Sequence, residues 1–306
     1  MPQQPSRSSK YKIIAILAVL LMLAGISACA PSLPSAALSP TATPATTVAA
    51  VPTPPDAPQA VADGVVHGWA VLAEKDYYSD VGMTDLPVDY INVRQVHHLL
   101  LDSGWQENRI RELRGFAQQD LRQALGWLAA SADEDDLVLL YVTAHGRFLE
   151  RVVEWGDFFA ADWDAVPSRR RVLVVDSCLA AKFTAVVSSD PRPHLSVAAV
   201  DADEYGWSGL EEEGLPIIGG VFSHYFVAAF GDSEADADGN GAVSVQEAAL
   251  HAEGQQRVYM HEVVFAVPEF AEMYEEVGST TEDPDRPHVV VADVIGTPVY
   301  LELDLD

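Results

Sequence analysis

The sequence is poor in cysteine and in positive charge. Only 2 of its 306 residues are cysteine, too few for a disulfide framework. Lysine and arginine total 18 against 46 aspartate and glutamate, a net charge of −28. Because nucleic-acid binding needs a basic face, we expect no nucleic-acid partner.

Several common site motifs are also absent. The chain lacks a Cys-x-x-Cys pair and a Gly-rich phosphate loop, and Phe265 stands where a zinc-peptidase helix starting at His261 would need a second His.

The longest apolar stretch of the sequence is too short for a typical transmembrane helix. Residues 13–28 form a run of 16 apolar or small residues after a basic start, whereas a transmembrane helix needs about 20. The run ends in Ile-Ser-Ala-Cys29, which resembles the lipobox of bacterial lipoproteins. That resemblance implies a signal peptide over residues 1–29, an acylated Cys29, and a domain held outside the cytoplasmic membrane at the bacterial cell envelope. The alternatives are an ordinary signal peptide or an uncleaved anchor.

Residues 30–63 are rich in Pro, Ala and Thr, contain eight prolines and have no apolar period. This composition predicts a disordered tether between the membrane and a folded domain over residues 64–306.

The folded part alternates apolar strand-like runs with helical periods. We predict strands at residues 65–73, 110–115, 137–144, 172–176 and 195–200, and helices at residues 88–104, 116–132, 220–230 and 244–257. The alternation predicts an α/β fold with a mainly parallel central sheet flanked by helices.

Two buried strands end in residues that can carry chemistry. His145 and Gly146 follow the strand at 137–144, and Cys178 follows the strand at 172–176. If the strands are neighbours, the imidazole and the thiol meet at one sheet edge, where ligands bind in open α/β sheets. A histidine can take the thiol proton and return it to a leaving amine. Each residue alone is more often an ordinary buried or hydrogen-bonded side chain.

The two strand ends resemble those of caspase-like cysteine peptidases: caspases, metacaspases, paracaspases and legumains. The resemblance covers residues 65–230 and implies a caspase-like fold with Cys178 as nucleophile and His145 as base and acid. It implies an oxyanion hole from the N–H groups of Gly146 and Cys178. Asp176 matches the residue that faces the first specificity pocket, and positions two apart on a strand share a face. Ala181 replaces a glycine of the metacaspase pattern.

A second motif lies at residues 236–247, DADGNGAVSVQE, which matches an EF-hand-type calcium loop. Its candidate ligands are, in order along the loop, Asp236, Asp238, Asn240, the Ala242 carbonyl, Ser244 and Glu247. The motif predicts one calcium ion. The alternative is an acidic surface turn.

These patterns together lead us to expect a membrane-anchored thiol endopeptidase that acts on peptide or protein substrates. Asp176 suggests cleavage after basic residues, and cleavage after Asn is the alternative. The competing hypothesis is a non-catalytic calcium-binding lipoprotein that uses the same fold as a binding module.

The lipobox gives a first testable prediction. Mature protein should begin at an acylated Cys29 and partition into detergent, and Cys29→Ser should abolish both properties. Mass spectrometry of the purified N-terminus measures this. An intact, unmodified N-terminus on mature protein would contradict the prediction.

Overall fold

A six-stranded sheet organises the described part of the chain, and its strands lie across the sheet in the order 110–114, 68–74, 137–143, 170–176, 194–198 and 290–293. The computed structural model describes residues 62–187, 192–278 and 280–303. The chain divides into two units, Met1–Gln59 and Ala60–Asp306, and every described residue belongs to the second. The predicted signal peptide and nearly all of the predicted tether, up to residue 61, lie outside the described residues.

The strands are β1 (Gly68–Glu74), β2 (Ile110–Arg114), β3 (Leu137–Thr143), β4 (Arg170–Asp176), β5 (His194–Ala198) and β8 (Val290–Asp293), with the short pair β6 (Ser208–Gly209) and β7 (Gly219–Gly220). The helices are α1 (Ile91–Asp102), α2 (Gln118–Ser131), α3 (Gly146–Arg151), α4 (Asp157–Asp164), α5 (Ala180–Thr184), α6 (Val221–Ala229), α7 (Val245–Tyr259) and α8 (Pro268–Glu276). Strands β1 to β5 pair in parallel, and β8 pairs antiparallel with β5.

The central strands are apolar on both faces because helices cover both sides of the sheet. In β3, every residue is buried. Its alternate residues Val138, Leu140 and Val142 pack with helices α2 to α5 on one side. Leu139 and Tyr141 pack with α1, α6 and α7 on the other. This alternation follows from the two-residue period of a strand.

The predicted α/β fold with a mainly parallel sheet is therefore confirmed, and element ends differ from prediction by a few residues. Helix α1, for example, ends at Asp102 and not at Gly104, since the N–H groups of Ser103 and Trp105 bond back to the Leu100 carbonyl and Gly104 takes φ 87°. No described helix is long and apolar enough to cross a membrane.

Candidate active site

The ends of β3 and β4 bring His145 and Cys178 to one place. The two strands pair in parallel with Thr143 beside Asp176, so the residues that follow each strand leave the sheet at the same edge. Gly146 lies directly against the Cys178 backbone. A Cβ atom at Gly146 would stand 2.3 Å from the Cys178 carbonyl oxygen, so only glycine allows this approach.

Both side chains line one open cleft of about 90 Å³ above the sheet. The wall includes the strand ends, the loop after β1, and the segment around β6 and β7. Its polar lining residues are Glu74, Lys75, Asp76, Asn92, Thr143, His145, Asp176, Ser177, Cys178 and Ser208. Leu179 follows Cys178 directly and could in principle block the cleft. It is not among the residues that line the cleft.

The ring of His145 is held in one orientation. Its Nε2 lies 3.0 Å from the backbone carbonyl oxygen of Thr84. A carbonyl oxygen only accepts, so the proton of the neutral imidazole sits on Nε2 and Nδ1 keeps a free lone pair. Burial lowers the pKa of His145, which favours this neutral form. The imidazole is thus prepared to act as a base through Nδ1.

Cys178 carries a protonated thiol in the free protein. Its Sγ lies 4.0 Å from the Gly206 carbonyl oxygen, and burial raises the pKa of the thiol to about 11. The loop after it is fixed, because Leu179 adopts φ 59° and its N–H donates to the Glu204 carbonyl at 2.8 Å. Because the thiol and the imidazole that share this cleft are both neutral, Cys178 must lose its proton before it can act as a nucleophile.

Asp176 forms part of the cleft floor. Its carboxylate accepts a hydrogen bond from the Ser223 N–H at 3.1 Å and a second one from the Ser223 hydroxyl. Burial raises its pKa to about 6, and these hydrogen bonds oppose the rise. Gly220 stands over the carboxylate, where a Cβ atom would lie 2.2 Å from Asp176 Oδ2. Glycine at this position keeps the floor open.

A second buried carboxyl group lies in the same row across the sheet. Glu74 is the register partner of Thr143, which in turn pairs with Asp176. Residues in register on parallel strands share a face, so the two acids stand on either side of Thr143. Glu74 accepts from Asn92 Nδ2 at 2.6 Å and from the Val93 N–H at 2.8 Å. Burial, and then the neighbouring acid Asp76, raise its pKa to about 8.

Sequence reasoning missed several of these residues. Glu74 could have been found, since it ends an apolar strand as His145 and Cys178 nearly do. Thr84 contributes a backbone carbonyl from an irregular loop, and Ser223 lies in a helix far along the chain. No local sequence pattern identifies such contacts.

The acidic loop at residues 236–247 lies apart from the cleft-lining residues. Carboxylate oxygens of Asp236, Asp238 and Glu247 all lie within 4.8 Å of one another. Gly241 takes φ 93°, which makes the sharp turn that the motif requires. Helix α7 begins after Ser244, which caps it, and the described residues between α6 and α7 contain no helix. Among the described residues, the acidic loop is therefore followed directly by a helix but not preceded directly by one.

Comparison with known proteins supports the fold. The chain is similar to the crystal structure of caspase-1 from Spodoptera frugiperda, with a TM-score of 0.50 and 10% sequence identity over 77% of this chain and 92% of that chain. No protein-family model and no curated protein sequence matches the chain. At this identity the similarity establishes a caspase-like fold and leaves the activity to be argued from the site.

The state of the thiol gives a testable prediction. In a Cys29→Ser background Cys178 is the only thiol, and its alkylation by iodoacetamide at pH 7.5 should be at least about tenfold slower than that of N-acetylcysteine, because fewer thiols are ionised. The rate should rise through pH 9–10. A rate that is already at its plateau below pH 8 would show a thiolate at rest and would contradict the neutral pair.

Proposed function

We propose that this chain is a cysteine endopeptidase in which Cys178 is the nucleophile and His145 the general base and acid. The observation that carries the proposal is that His145 and Cys178 line one cleft, while His145 Nε2 lies 3.0 Å from a carbonyl oxygen, which leaves Nδ1 as the basic nitrogen. The similarity to a caspase structure supports the same conclusion at the level of the fold.

The reaction follows from these positions. His145 Nδ1 takes the thiol proton as the Cys178 sulfur attacks the scissile carbonyl carbon and a C–S bond forms. The N–H groups of Gly146 and Cys178 donate to the oxyanion. The imidazolium, stabilised through Nε2–H by the Thr84 carbonyl, then protonates the leaving amine and the C–N bond breaks. Water, deprotonated by His145, hydrolyses the thioester and restores the thiol.

The acids in the cleft support a basic side chain before the scissile bond. Among the described residues, no Lys or Arg forms an ion pair with Glu74 or Asp176. An arginine or lysine side chain would supply the missing charge and favour the ionised form of both carboxyl groups. The neutral amide of Asn would not, so we propose cleavage after basic residues.

The peptidase prediction is tested with fluorogenic peptides that carry Arg, Lys or Asn before the scissile bond. Cys178→Ala and His145→Ala should abolish turnover. Asp176→Asn should raise KM for the Arg peptide about tenfold or more, while Asp102→Asn, an exposed change at the end of α1, should have no effect. KM for the Arg peptide should fall from pH 5.5 to pH 8.5, because Asp176 and then Glu74 ionise in this range.

Turnover that survives Cys178→Ala or His145→Ala would overturn the mechanism. A peptide profile without preference for Arg or Lys would overturn the specificity and leave the mechanism standing. If no peptide is cleaved, and iodoacetamide does not alkylate Cys178 in the presence of peptide, the results favour the alternative of a non-catalytic binding module.

We also propose that the chain is anchored by acylation of Cys29 and acts on peptide or protein substrates outside the cytoplasmic membrane. The support is the basic and apolar leader with its lipobox and the Pro-rich segment that follows. Both lie outside the described residues.

We propose one calcium ion at residues 236–247. Backbone N–H groups of Asn240 and Gly241 orient the Asp236 carboxylate, at 3.1 and 2.8 Å. Glu247 accepts from the Ser244 N–H and side chain, and these bonds hold its pKa below the usual value, so the carboxylate is ionised. With a third acid, Asp238, this oxygen donor set suits calcium.

Calcium should therefore stabilise the domain by binding only the folded chain. With a Kd of about 10⁻⁴–10⁻³ M, as in extracellular modules, about 10 mM calcium should raise Tm by several degrees. The shift should be lost in Glu247→Gln and kept in Glu272→Gln, an exposed change on α8. If calcium shifts the Tm of both variants equally, or does not shift the Tm of the wild type, the loop is an acidic turn without a calcium site.

A further inference from the structure

The loop between β1 and α1, residues 75–90, forms hydrogen bonds with His145 at two separate points. The first is the ring contact from Nε2 to the Thr84 carbonyl. The second is at the backbone, where the His145 N–H donates to the hydroxyl of Tyr78 at 2.8 Å. A single loop thus holds both the main chain and the imidazole of the general base.

Tyr78 is buried completely, and its hydroxyl uses both of its hydrogen-bonding functions. It accepts from the His145 N–H and donates to the Lys75 carbonyl. Burial raises the pKa of Tyr78 far above its usual value, so this donor keeps its proton throughout the working pH range. Its ring also lies against the imidazole, with centroids 4.7 Å apart, and packs edge-on against Phe148 at 5.5 Å.

The backbone of Tyr78 shapes the part of the loop that reaches the imidazole. The N–H groups of Val81 and Met83 donate to the Tyr78 carbonyl, at 2.9 and 3.3 Å. The Tyr78 N–H donates to Asp85 Oδ1 at 2.6 Å. Thr84 lies between Met83 and Asp85, both of which are fixed to Tyr78. The position of the Thr84 carbonyl therefore depends on the backbone of residue 78, and the completely buried Tyr78 side chain anchors that backbone against the domain.

From these contacts we infer that Tyr78 is a positioning residue for the proposed peptidase, one that sets the orientation and the tautomer of the His145 imidazole. The inference rests on the proposed role of His145 as base. Tyr78 itself does not touch the reacting atoms. It acts through the His145 backbone, through contact with the ring, and through the turn that presents Thr84.

The test compares two adjacent tyrosines in the full chain carrying Cys29→Ser. Tyr78→Phe keeps the ring and removes the hydroxyl that holds the His145 backbone. Tyr77→Phe removes a hydroxyl from a side chain that is 45% exposed and serves as the matched control. On an Arg peptide, kcat should fall about tenfold in Tyr78→Phe with KM within twofold, because the acidic floor is untouched. Both constants should stay within twofold in Tyr77→Phe.

Imidazole ¹⁵N chemical shifts supply a readout that does not depend on turnover. Spectra assigned by comparison with His145→Ala should show the proton on Nε2 in wild type and in Tyr77→Phe. In Tyr78→Phe the shifts should move toward an average of both tautomers. Thermal melting checks that the variants remain folded.

A second variant, Asp85→Ala, changes the loop that presents the Thr84 carbonyl, at a side chain that is partly exposed. It removes the acceptor of the Tyr78 N–H and should lower kcat and disturb the tautomer in the same direction. If Tyr78→Phe does not fold, the ¹⁵N shifts of Asp85→Ala decide, because the Asp85 carboxylate also raises the pKa of His145 and its loss can change kcat by itself. Folded variants that keep both kcat and the wild-type ¹⁵N shifts would overturn the inference. The wild-type protein could also prove inactive while its spectra show the Nε2 tautomer and those of Tyr78→Phe do not. That result would refute the proposed peptidase activity but support the positioning role of Tyr78.

Discussion

The parallel pairing of β3 and β4 is the constraint on which the rest of the site depends. It places Thr143 beside Asp176, and a single residue on each chain, Ala144 or Ser177, then precedes His145 or Cys178. A one-residue slip would turn every side chain of β4 to the opposite face. Because helices bury both faces, the close packing of Val138, Leu140 and Val142 on one face and of Leu139 and Tyr141 on the other opposes that slip.

Burial favours the neutral form of four groups in the cleft. It lowers the pKa of His145 and raises the pKa of Cys178 to about 11, which suits the proposed transfer of the thiol proton to the imidazole. It raises the pKa of Asp176 to about 6 and the pKa of Glu74 to about 8, so Glu74 is the acid that the proposed basic side chain would ionise near neutral pH. Because desolvation dominates all four shifts, the electrostatics of the site follow from its depth below the surface.

The α/β fold with its mainly parallel sheet, and the shared sheet edge of His145 and Cys178, could be predicted from sequence because long apolar runs mark the central strands and parallel strands end at one edge. The caspase-like fold was predicted from the resemblance of the two strand ends alone. Helices α3 and α4 were not predicted, because they are short and lie in a stretch dense in aromatic residues without a clear period. Strand β8 was not predicted either, because it is a half-buried edge strand that follows an acidic, Pro-containing segment. Thr84 and Tyr78 were beyond prediction, because their roles depend on the path of an irregular loop.

Gly146 has a mechanical consequence. The space between it and the Cys178 carbonyl cannot hold one methyl group, so strand pairing and a hard contact together determine the separation of the two loops. The tautomer of His145 depends instead on residues 75–90, whose hydrogen bonds belong to turns and not to a strand or a helix. Mild denaturant should therefore loosen the orientation of the imidazole well before the two strand ends separate. The strand ends that carry His145 and Cys178 and the loop that orients the imidazole can therefore be perturbed independently.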